Sequence, residues 1–397
     1  MGYKNIIFFF NLFILFALLQ STFQININAN IEKFEQYIEQ IINDSKPDAP
    51  MWNARKPKGW DYVDGCIIGG FLELYYTTKN PKYLNFAKDF EDYRVSNDGE
   101  ILTYDRLSYN LDNVNSAKTL ITLYKITKDK KYRKGAARVY QQLLDHPRTI
   151  EGNFWHKKVY VQQVWLDGLY MALPFYMEYE VLFQNSKNIN DIYNQLFNVY
   201  ELMRDKETGL YYHGYDSAKQ QSWANKETGL SLNFWLRSLG WYSMALLDTL
   251  NNASDKGSEN WNKLKNIFIE LCESMIKFQD KSGMWYQVVN FLDREPNYLE
   301  TSGSAMYSYS FLKGLRLKIL EDIKFKEAGL KAFNEVIERY LKLKNGKLSL
   351  GGTCSVSGLS DDRNGTFEYY MSEPISENDA KGIGPMILAY NEYLLLE

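Results

Sequence analysis

The stretch LYYTTKNPKY, residues 74–83, returns 49 positions later as LYKITKDKKY, residues 123–132. Both copies join an apolar helix end to a polar turn, and a Lys-Tyr pair then begins another helical pattern. Two helices joined in this way form a hairpin, and self-similarity at a period of roughly 20–50 residues is typical of repeat architectures. The stretch therefore predicts a fold built from repeated helical hairpins.

A second recurrent feature divides the rest of the chain into similar units. Glycine-containing turns close amphipathic, helix-like segments at NDGEIL, EGNFWH, ETGLYYH, KSGMWYQ and KNGKLSL. These turns alternate with segments rich in small or apolar residues. Each such segment is introduced by a polar residue: Asp64, Asp112, Asp167, Arg237, Glu300 and Asn378. Six such units predict about twelve helices.

The two kinds of helix belong in different places. Helices that are apolar on several sides belong inside a protein, and one-sided helices belong outside. An all-α (α/α)6 barrel of six inner and six outer helices, with short extended segments at its mouth, satisfies both sets. An open solenoid of hairpins is the alternative, but irregular units and long loops before the inner helices favour a closed barrel. No linker divides the chain, so we expect a single (α/α)6 domain over residues 25–397.

The N-terminus and the composition limit the location and the partners. Residues 1–24 carry Lys4 and then a short apolar run, which predicts a signal peptide and an extracellular, secreted protein. The 46 basic and 49 acidic residues are interspersed and give a net charge of −3, which argues against nucleic acid as a partner. After removal of the signal we expect no membrane contact, and we expect a monomer. The three cysteines, Cys66, Cys272 and Cys354, form neither a disulfide framework nor a metal cluster.

Two carboxylates are the candidates for chemistry. If the inner helices begin at one mouth, Asp112 and Asp167 converge there although 55 positions separate them. Asp167 follows Trp165 and precedes Tyr170, surroundings that would raise the pKa of a carboxyl and keep its proton available. Both residues could instead be N-caps that satisfy helix amides. Pro174 suits only a first turn, so we expect the helix to begin after Asp167.

Cations and aromatic rings surround these carboxylates in the sequence. His156, Lys157 and His213 each follow a glycine turn, and donor groups of this kind suit a carboxylated sugar. Arg237 lies between Trp235 and Trp241. Its guanidinium could pair with a substrate carboxylate, or it could make a cation–π contact in the core. No metal-ligand spacing and no cofactor motif occurs, so we expect neither a metal nor a cofactor.

Five segments together resemble glycoside hydrolase family 105, the unsaturated rhamnogalacturonyl hydrolases. They are DHPRTIEGNFWHK, VWLDGLYMALPF, the long run from Thr208 to Asp248, YLETSGSAMYSY and EYYMSEPISENDAKGIGP. The resemblance covers nearly everything after residue 35. It implies an (α/α)6 barrel that removes 4,5-unsaturated galacturonate from the non-reducing end of pectin (rhamnogalacturonan) oligosaccharides produced by lyases, by hydrating the enol-ether double bond.

The resemblance also implies roles for individual residues. Asp167, in the WLDG motif, would protonate C4 and then help water to add at C5, and Asp112 would hold sugar hydroxyls. One departure is Leu236, where we expect a small residue, and its side chain would narrow the pocket. The substrate contacts that the resemblance implies are His156, Lys157, Trp165, His213, Trp235, Arg237, Gly352 and Thr353.

Two other functions are compatible with the same residues. An inverting glycosidase acting on saturated oligosaccharides would also use two carboxylates, as acid and base. A barrel that has lost catalysis would bind carbohydrate without turnover. The sequence does not distinguish the aglycone sugar or the chain length of the substrate.

Overall fold

Twelve helices account for most of the residues that the computed structural model describes, which are 27–52 and 58–396. Six have buried residues around most of their circumference: α2 (Tyr62–Thr78), α5 (Ala117–Thr127), α7 (Leu166–Phe183), α9 (Leu236–Asn252), α11 (Thr301–Arg316) and α14 (Ala380–Leu396). Six bury one face: α1 (27–44), α3 (Pro81–Arg94), α6 (Lys130–Leu144), α8 (Ile189–Met203), α10 (Glu259–Lys277) and α12 (Ile323–Tyr340). Inner and outer helices alternate along the chain.

The inner helices form a closed ring. Each packs on the next in the order α2, α5, α7, α9, α11 and α14, and α14 returns to pack on α2. This last contact distinguishes a barrel from a solenoid, whose terminal repeats do not meet. The prediction of an (α/α)6 barrel is confirmed, and the solenoid alternative is wrong.

The repeated decapeptide adopts the same geometry twice. The first copy ends α2 at Lys79, which has a left-handed φ of 56°, and starts α3 with Asn80, whose side chain accepts from the amide of Lys82. The second copy ends α5 at Lys128, with a φ of 61°, and starts α6 with Asp129 as the N-cap. A left-handed residue followed directly by a side-chain N-cap reverses the chain sharply. The predicted hairpin repeat is confirmed.

The remaining elements are short. Helices α4 (Asp112–Asn115) and α13 (Phe367–Ser372) and a 3₁₀ turn (Arg106–Ser108) lie in loops. Three two-stranded antiparallel sheets join β1 (Gln163–Trp165) to β2 (Gly214–Asp216), β3 (Leu341–Lys344) to β4 (Lys347–Leu350), and β5 (Thr353–Cys354) to β6 (Ile375–Ser376). Strand β1 immediately precedes inner helix α7, and β5 contacts inner helix α11, as expected for extended segments at a mouth.

The predicted signal peptide, residues 1–24, lies outside the described residues. Within the described residues, no helix has the length and apolar character needed to cross a bilayer. The three cysteines are buried and unpaired.

Candidate active site

A cleft opens where the inner helices begin. Its cavity volume is about 80 Å³. Its lining is made of cationic, acidic and aromatic side chains with one short loop: Tyr62, Asp112, His156, Lys157, Tyr160, Trp165, Asp167, Met171, Trp235, Arg237, Trp241, 356–358, Arg363 and Lys381. Both predicted carboxylates belong to this lining, together with the predicted contacts His156, Lys157, Trp165, Trp235 and Arg237. Their convergence follows from the common direction of the inner helices.

Asp167 and His213 meet through the pairing of β1 with β2. Trp165 pairs with Gly214, and the amide of Leu166 donates to the carbonyl of His213 over 3.1 Å. Asp167 in the first turn of α7 therefore lies beside the His213 ring, with 3.5 Å between Oδ2 and Nε2. The His213 side chain is fully buried, whereas that of Asp167 is 15% exposed. Asp167 faces the cleft, and His213 lies behind it.

Asp112 is placed by a separate backbone contact. Asn110 forms a β-bridge with Lys157, and the amide of Leu111 donates to the carbonyl of His156. The Lys157 ammonium lies 2.7 Å from Oδ2 of Asp112, and Nε2 of His156 lies 3.6 Å from Oδ1. Burial lowers the pKa of His156 to about 4, so its ring is neutral near pH 7. Lys157 is thus the positive partner of Asp112.

Neither carboxylate acts as an N-cap. The side chain of Asp167 accepts no amide hydrogen bond at the start of α7, and α4 likewise begins without a side-chain cap. The expectation that Asp167 precedes its helix is wrong, because α7 begins at Leu166 and continues through Pro174. The N-cap positions are occupied by Trp165 and Leu111 instead, and both aspartates line the cleft.

Aromatic rings form one wall. The Trp165 indole stacks on the His156 ring at 4.6 Å and on the Tyr160 ring at 4.5 Å. Trp235 packs against His213 at 4.7 Å. Flat apolar faces of this kind suit the faces of a sugar ring, as well as the core itself.

Arg237 makes the predicted cation–π contact, and its contact with a substrate carboxylate stays a prediction. Its guanidinium lies 4.6 Å from the Trp235 ring and donates to Ser302 Oγ and to the carbonyl of Cys354. Glu300 Oε1 lies 3.9 Å from Nη1. Arg237 lines the cleft, but protein groups already hold its guanidinium.

Leu236 does not narrow the cleft. It is fully buried, and a Cβ added to Gly303 would lie 2.3 Å from its Cγ. Its side chain therefore fills the gap between α9 and α11, and the expectation of a narrowed pocket is wrong.

The other predicted contacts lie behind the lining. Gly352 accepts from the amide of Thr301, and Thr353 is fully buried beside it at the start of α11. Like His213, these two residues do not contribute to the cleft wall described above. Their contact with a substrate stays a prediction.

Sequence reasoning missed four lining or supporting residues. Arg363 belongs to the turn SDDRNG, whose composition indicates only an exposed loop. Lys381 lies within the quoted segment ENDAKGIGP and pairs with Asp379 over 2.7 Å. Tyr370 also lies within a quoted segment, EYYMSEPISENDAKGIGP, whereas Tyr62 has no sequence signal beyond aromatic character. Among the described residues, no group of three His, Cys, Asp or Glu side chains could hold a metal ion.

The chain matches a known protein family over most of its length. The model of Glycosyl Hydrolase Family 88 matches residues 30–396. The 24.9 kDa protein in the picA locus of Rhizobium radiobacter is 37% identical over 234 residues, which cover 57% of this chain and 99% of that protein. The unsaturated rhamnogalacturonyl hydrolase YesR of Bacillus subtilis is 28% identical over 252 residues, which cover 62% of this chain and 68% of that protein.

Solved structures share the fold. A glycoside hydrolase of family 105 from C. acetobutylicum is 42% identical with a TM-score of 0.81, and the match covers 84% of this chain and 94% of that chain. The unsaturated glucuronyl hydrolase of Bacillus sp. GL1 has a TM-score of 0.66 at 13% identity, over 92% of this chain and 95% of that chain. At that identity the second likeness concerns the fold alone.

Proposed function

Because this chain belongs to glycoside hydrolase family 105, within the group matched by the Glycosyl Hydrolase Family 88 model, we propose that it is an unsaturated uronyl hydrolase. Its substrate is a lyase-generated oligosaccharide with a 4,5-unsaturated galacturonate at the non-reducing end, and the leaving sugar is rhamnose. The observation that carries the proposal is the meeting of Asp112 and Asp167 in one cleft.

Asp167 lines the cleft and would serve as both proton donor and proton acceptor in the hydration of the enol ether. Its proton would add to C4 of the sugar, and the positive charge at C5 would be shared with the ring oxygen. The Asp167 carboxylate would then take a proton from water as the water oxygen bonds to C5. The resulting hemiketal opens by cleavage of the bond between C5 and the ring oxygen, which takes the hydroxyl proton and leaves a C5 ketone and a C1 hemiacetal. The hemiacetal then breaks its bond to the glycosidic oxygen, which takes the hemiacetal proton and leaves as the aglycone alcohol, and C1 becomes an aldehyde.

Asp112 supports this chemistry in a different way. Because Lys157 lies 2.7 Å away, Asp112 has a permanent positive neighbour that stabilises its ionised form. An ionised carboxylate accepts hydrogen bonds from sugar hydroxyls but cannot donate a proton. This asymmetry supports Asp167 as the proton donor and Asp112 as the residue that holds the sugar.

The acidic character of the substrate is supported by Arg363. This exposed guanidinium lines the cleft, and among the described residues it forms no ion pair with a carboxylate. The cleft cations Lys157, Arg237 and Lys381 all face acidic side chains of the protein. Arg363 is therefore suited to the carboxylate of a uronic acid.

Rhamnose as the leaving sugar is supported by YesR, which is named an unsaturated rhamnogalacturonyl hydrolase. Export is supported by the apolar run within residues 1–24. N-terminal sequencing of the protein from the culture medium of its native host would test export. An intact N-terminus on a cell-retained protein would contradict it.

The activity is tested by following the ultraviolet absorbance of the substrate double bond. We expect absorbance loss with unsaturated galacturonyl-rhamnose, and slower or no loss with unsaturated glucuronyl-hexosamine. Saturated galacturonyl-rhamnose should remain intact; its cleavage with inversion would support the inverting glycosidase instead. Binding of these sugars without turnover of any would contradict an enzymatic function.

A further inference from the structure

Three side chains from distant parts of the chain form a line that ends at the cleft. The Tyr370 hydroxyl lies 2.9 Å from Nδ1 of His213, and Nε2 of His213 lies 3.5 Å from Oδ2 of Asp167. Tyr370 comes from α13, 157 positions after His213. Tyr370 and His213 are both fully buried, so water does not compete for their hydrogen bonds.

The contacts of His213 with Tyr370 and Asp167 favour one position for the proton of its neutral ring. Among the described residues, the Tyr370 hydroxyl has His213 as its hydrogen-bonding partner and no other acceptor for its proton. A phenol donates one proton, and the proton of Tyr370 is hydrogen-bonded only when Nδ1 of His213 accepts it. The ring proton then resides on Nε2, directed at Asp167.

The opposite tautomer is disfavoured at two places. A proton on Nδ1 would leave the buried Tyr370 proton without an acceptor, and a buried donor left unsatisfied loses its hydration without compensation. It would also direct the lone pair of Nε2 at the buried oxygen Oδ2, where it repels an ionised carboxylate and holds the proton of a neutral carboxyl away from the cleft. Both effects favour the Nε2-protonated ring.

We propose that Tyr370 is a positioning residue: by donating to Nδ1 it holds His213 as the Nε2–H tautomer, which engages Oδ2 of Asp167 and leaves Oδ1 to exchange the proton with substrate. The assignment of the tautomer depends only on the geometry, whereas its effect on rate rests on the proposed function. The 3.5 Å separation is longer than a normal N–H···O bond. A small rotation of Asp167 on substrate binding would close it.

Nitrogen NMR of histidine-labelled protein reads the tautomer directly, since the chain has only three histidines. The His213 signals are assigned by their loss in His213→Gln. We expect wild-type His213 to be protonated at Nε2 and unprotonated at Nδ1. In Tyr370→Phe we expect a shift toward the Nδ1-protonated form. Wild-type protonation at Nδ1, or unchanged His213 signals in a folded Tyr370→Phe variant, would overturn the proposal.

Kinetics give a second readout. In Tyr370→Phe we expect kcat to fall by about tenfold to hundredfold, with little change in KM and an altered pH profile. Tyr307→Phe is the matched control, because it also removes a buried hydroxyl, one that donates to the carbonyl of Leu239. A wild-type protein without turnover on any unsaturated substrate would refute the proposed function alone, since the NMR result would still decide the tautomer.

Discussion

At the scale of single residues, the cleft contains two aspartates in different surroundings. Asp112 faces the Lys157 ammonium, whereas Asp167 faces a buried imidazole and follows an indole. Two carboxylates with unlike neighbours are the arrangement that separates proton donor from ionised partner in sugar-cleaving enzymes. The difference between these neighbours gives Asp167 and Asp112 distinct roles in the proposed reaction.

Replacing the proposed proton donor should abolish turnover without unfolding the protein. We expect Asp167→Asn to lower kcat by about a thousandfold or more, because an amide cannot give and retake a proton. Its Tm should stay within a few degrees of the wild-type value, since no amide cap is lost. The exposed Asp89 on outer helix α3 offers the control Asp89→Asn, which should leave both values unchanged. A near-normal rate for Asp167→Asn would place the donor elsewhere.

Replacing Arg363, which forms no ion pair among the described residues, should change KM rather than kcat. We expect Arg363→Gln to raise KM for the unsaturated uronate substrate by about tenfold, which corresponds to about 1.4 kcal/mol of lost binding, with kcat nearly unchanged. Steady-state kinetics measures this. Arg294→Gln is the matched control, because Arg294 is also exposed but pairs with Glu368 and does not line the cleft. Equal KM values for Arg363→Gln and wild type would exclude the contact.

At the scale of the elements, α7 shows how a helix keeps a proline in its interior. Pro174 has no N–H, so the carbonyl of Tyr170 one turn earlier loses its usual donor. Nζ of Lys118, on neighbouring inner helix α5, donates to that carbonyl over 2.7 Å. It also lies 3.4 Å from the centroid of the Tyr170 ring. Lys118 of the neighbouring helix thus replaces the donor that Pro174 lacks, and α7 continues through the proline.

The hydrogen bond from Lys118 to the Tyr170 carbonyl predicts an energetic coupling between Lys118 and Pro174, which a double-mutant cycle can measure. Lys118→Met alone should lower the free energy of unfolding by about 1–3 kcal/mol, because it leaves the Tyr170 carbonyl buried without a donor. In a Pro174→Ala background the loss should shrink, since alanine has the backbone N–H that proline lacks and donates it to the same carbonyl. Urea unfolding of the four proteins gives the coupling. Equal effects of Lys118→Met in both backgrounds would contradict this account.

At the scale of the whole molecule, closure of the ring brings the site together. The inner helices contribute their N-terminal ends to one mouth, and short β-contacts join the loops there. The closing interface, between α14 and α2, is tight: a Cβ added to Gly384 would lie 2.5 Å from the backbone carbonyl oxygen of Cys66. Backbone atoms cannot rotate away as a side chain can, so this position requires glycine.

Two glycine substitutions on the closing helices should have opposite effects. Gly384→Ala should lower the free energy of unfolding by about 1–3 kcal/mol through overpacking. Gly69→Ala, on α2, should raise it by about 0.5–1 kcal/mol, because its Cβ would meet nothing within 4 Å and alanine favours helix. Thermal and urea unfolding would measure both. A Gly384→Ala protein as stable as the wild type would show that the interface tolerates the added methyl group, and a less stable Gly69→Ala protein would contradict the second expectation.

Features set by neighbouring residues were predictable from the sequence, and features set by contacts between distant residues were not. The hairpin repeat and the alternation of inner and outer helices were predictable, because turns and apolar periodicity act within a few residues. The continuation of α7 through Pro174 was not predictable, because Lys118, which donates to the Tyr170 carbonyl, lies 56 positions before the proline. The prediction for Leu236 is wrong for a similar reason: the direction of its side chain depends on Gly303 of another helix.

The sequence alone determined the number and kind of the helices, the closed barrel as their best arrangement, and the two aspartates as candidates. Those features depend on the spacing of apolar residues and on turns, which the chain carries locally. Only the tertiary structure decided that His213 stands behind Asp167, that Tyr370 directs its proton, and that Arg363 enters the cleft. The physical reason is that hydrogen bonds and ion pairs depend on distances of a few ångströms between residues that lie far apart in the sequence, and chain folding sets these distances.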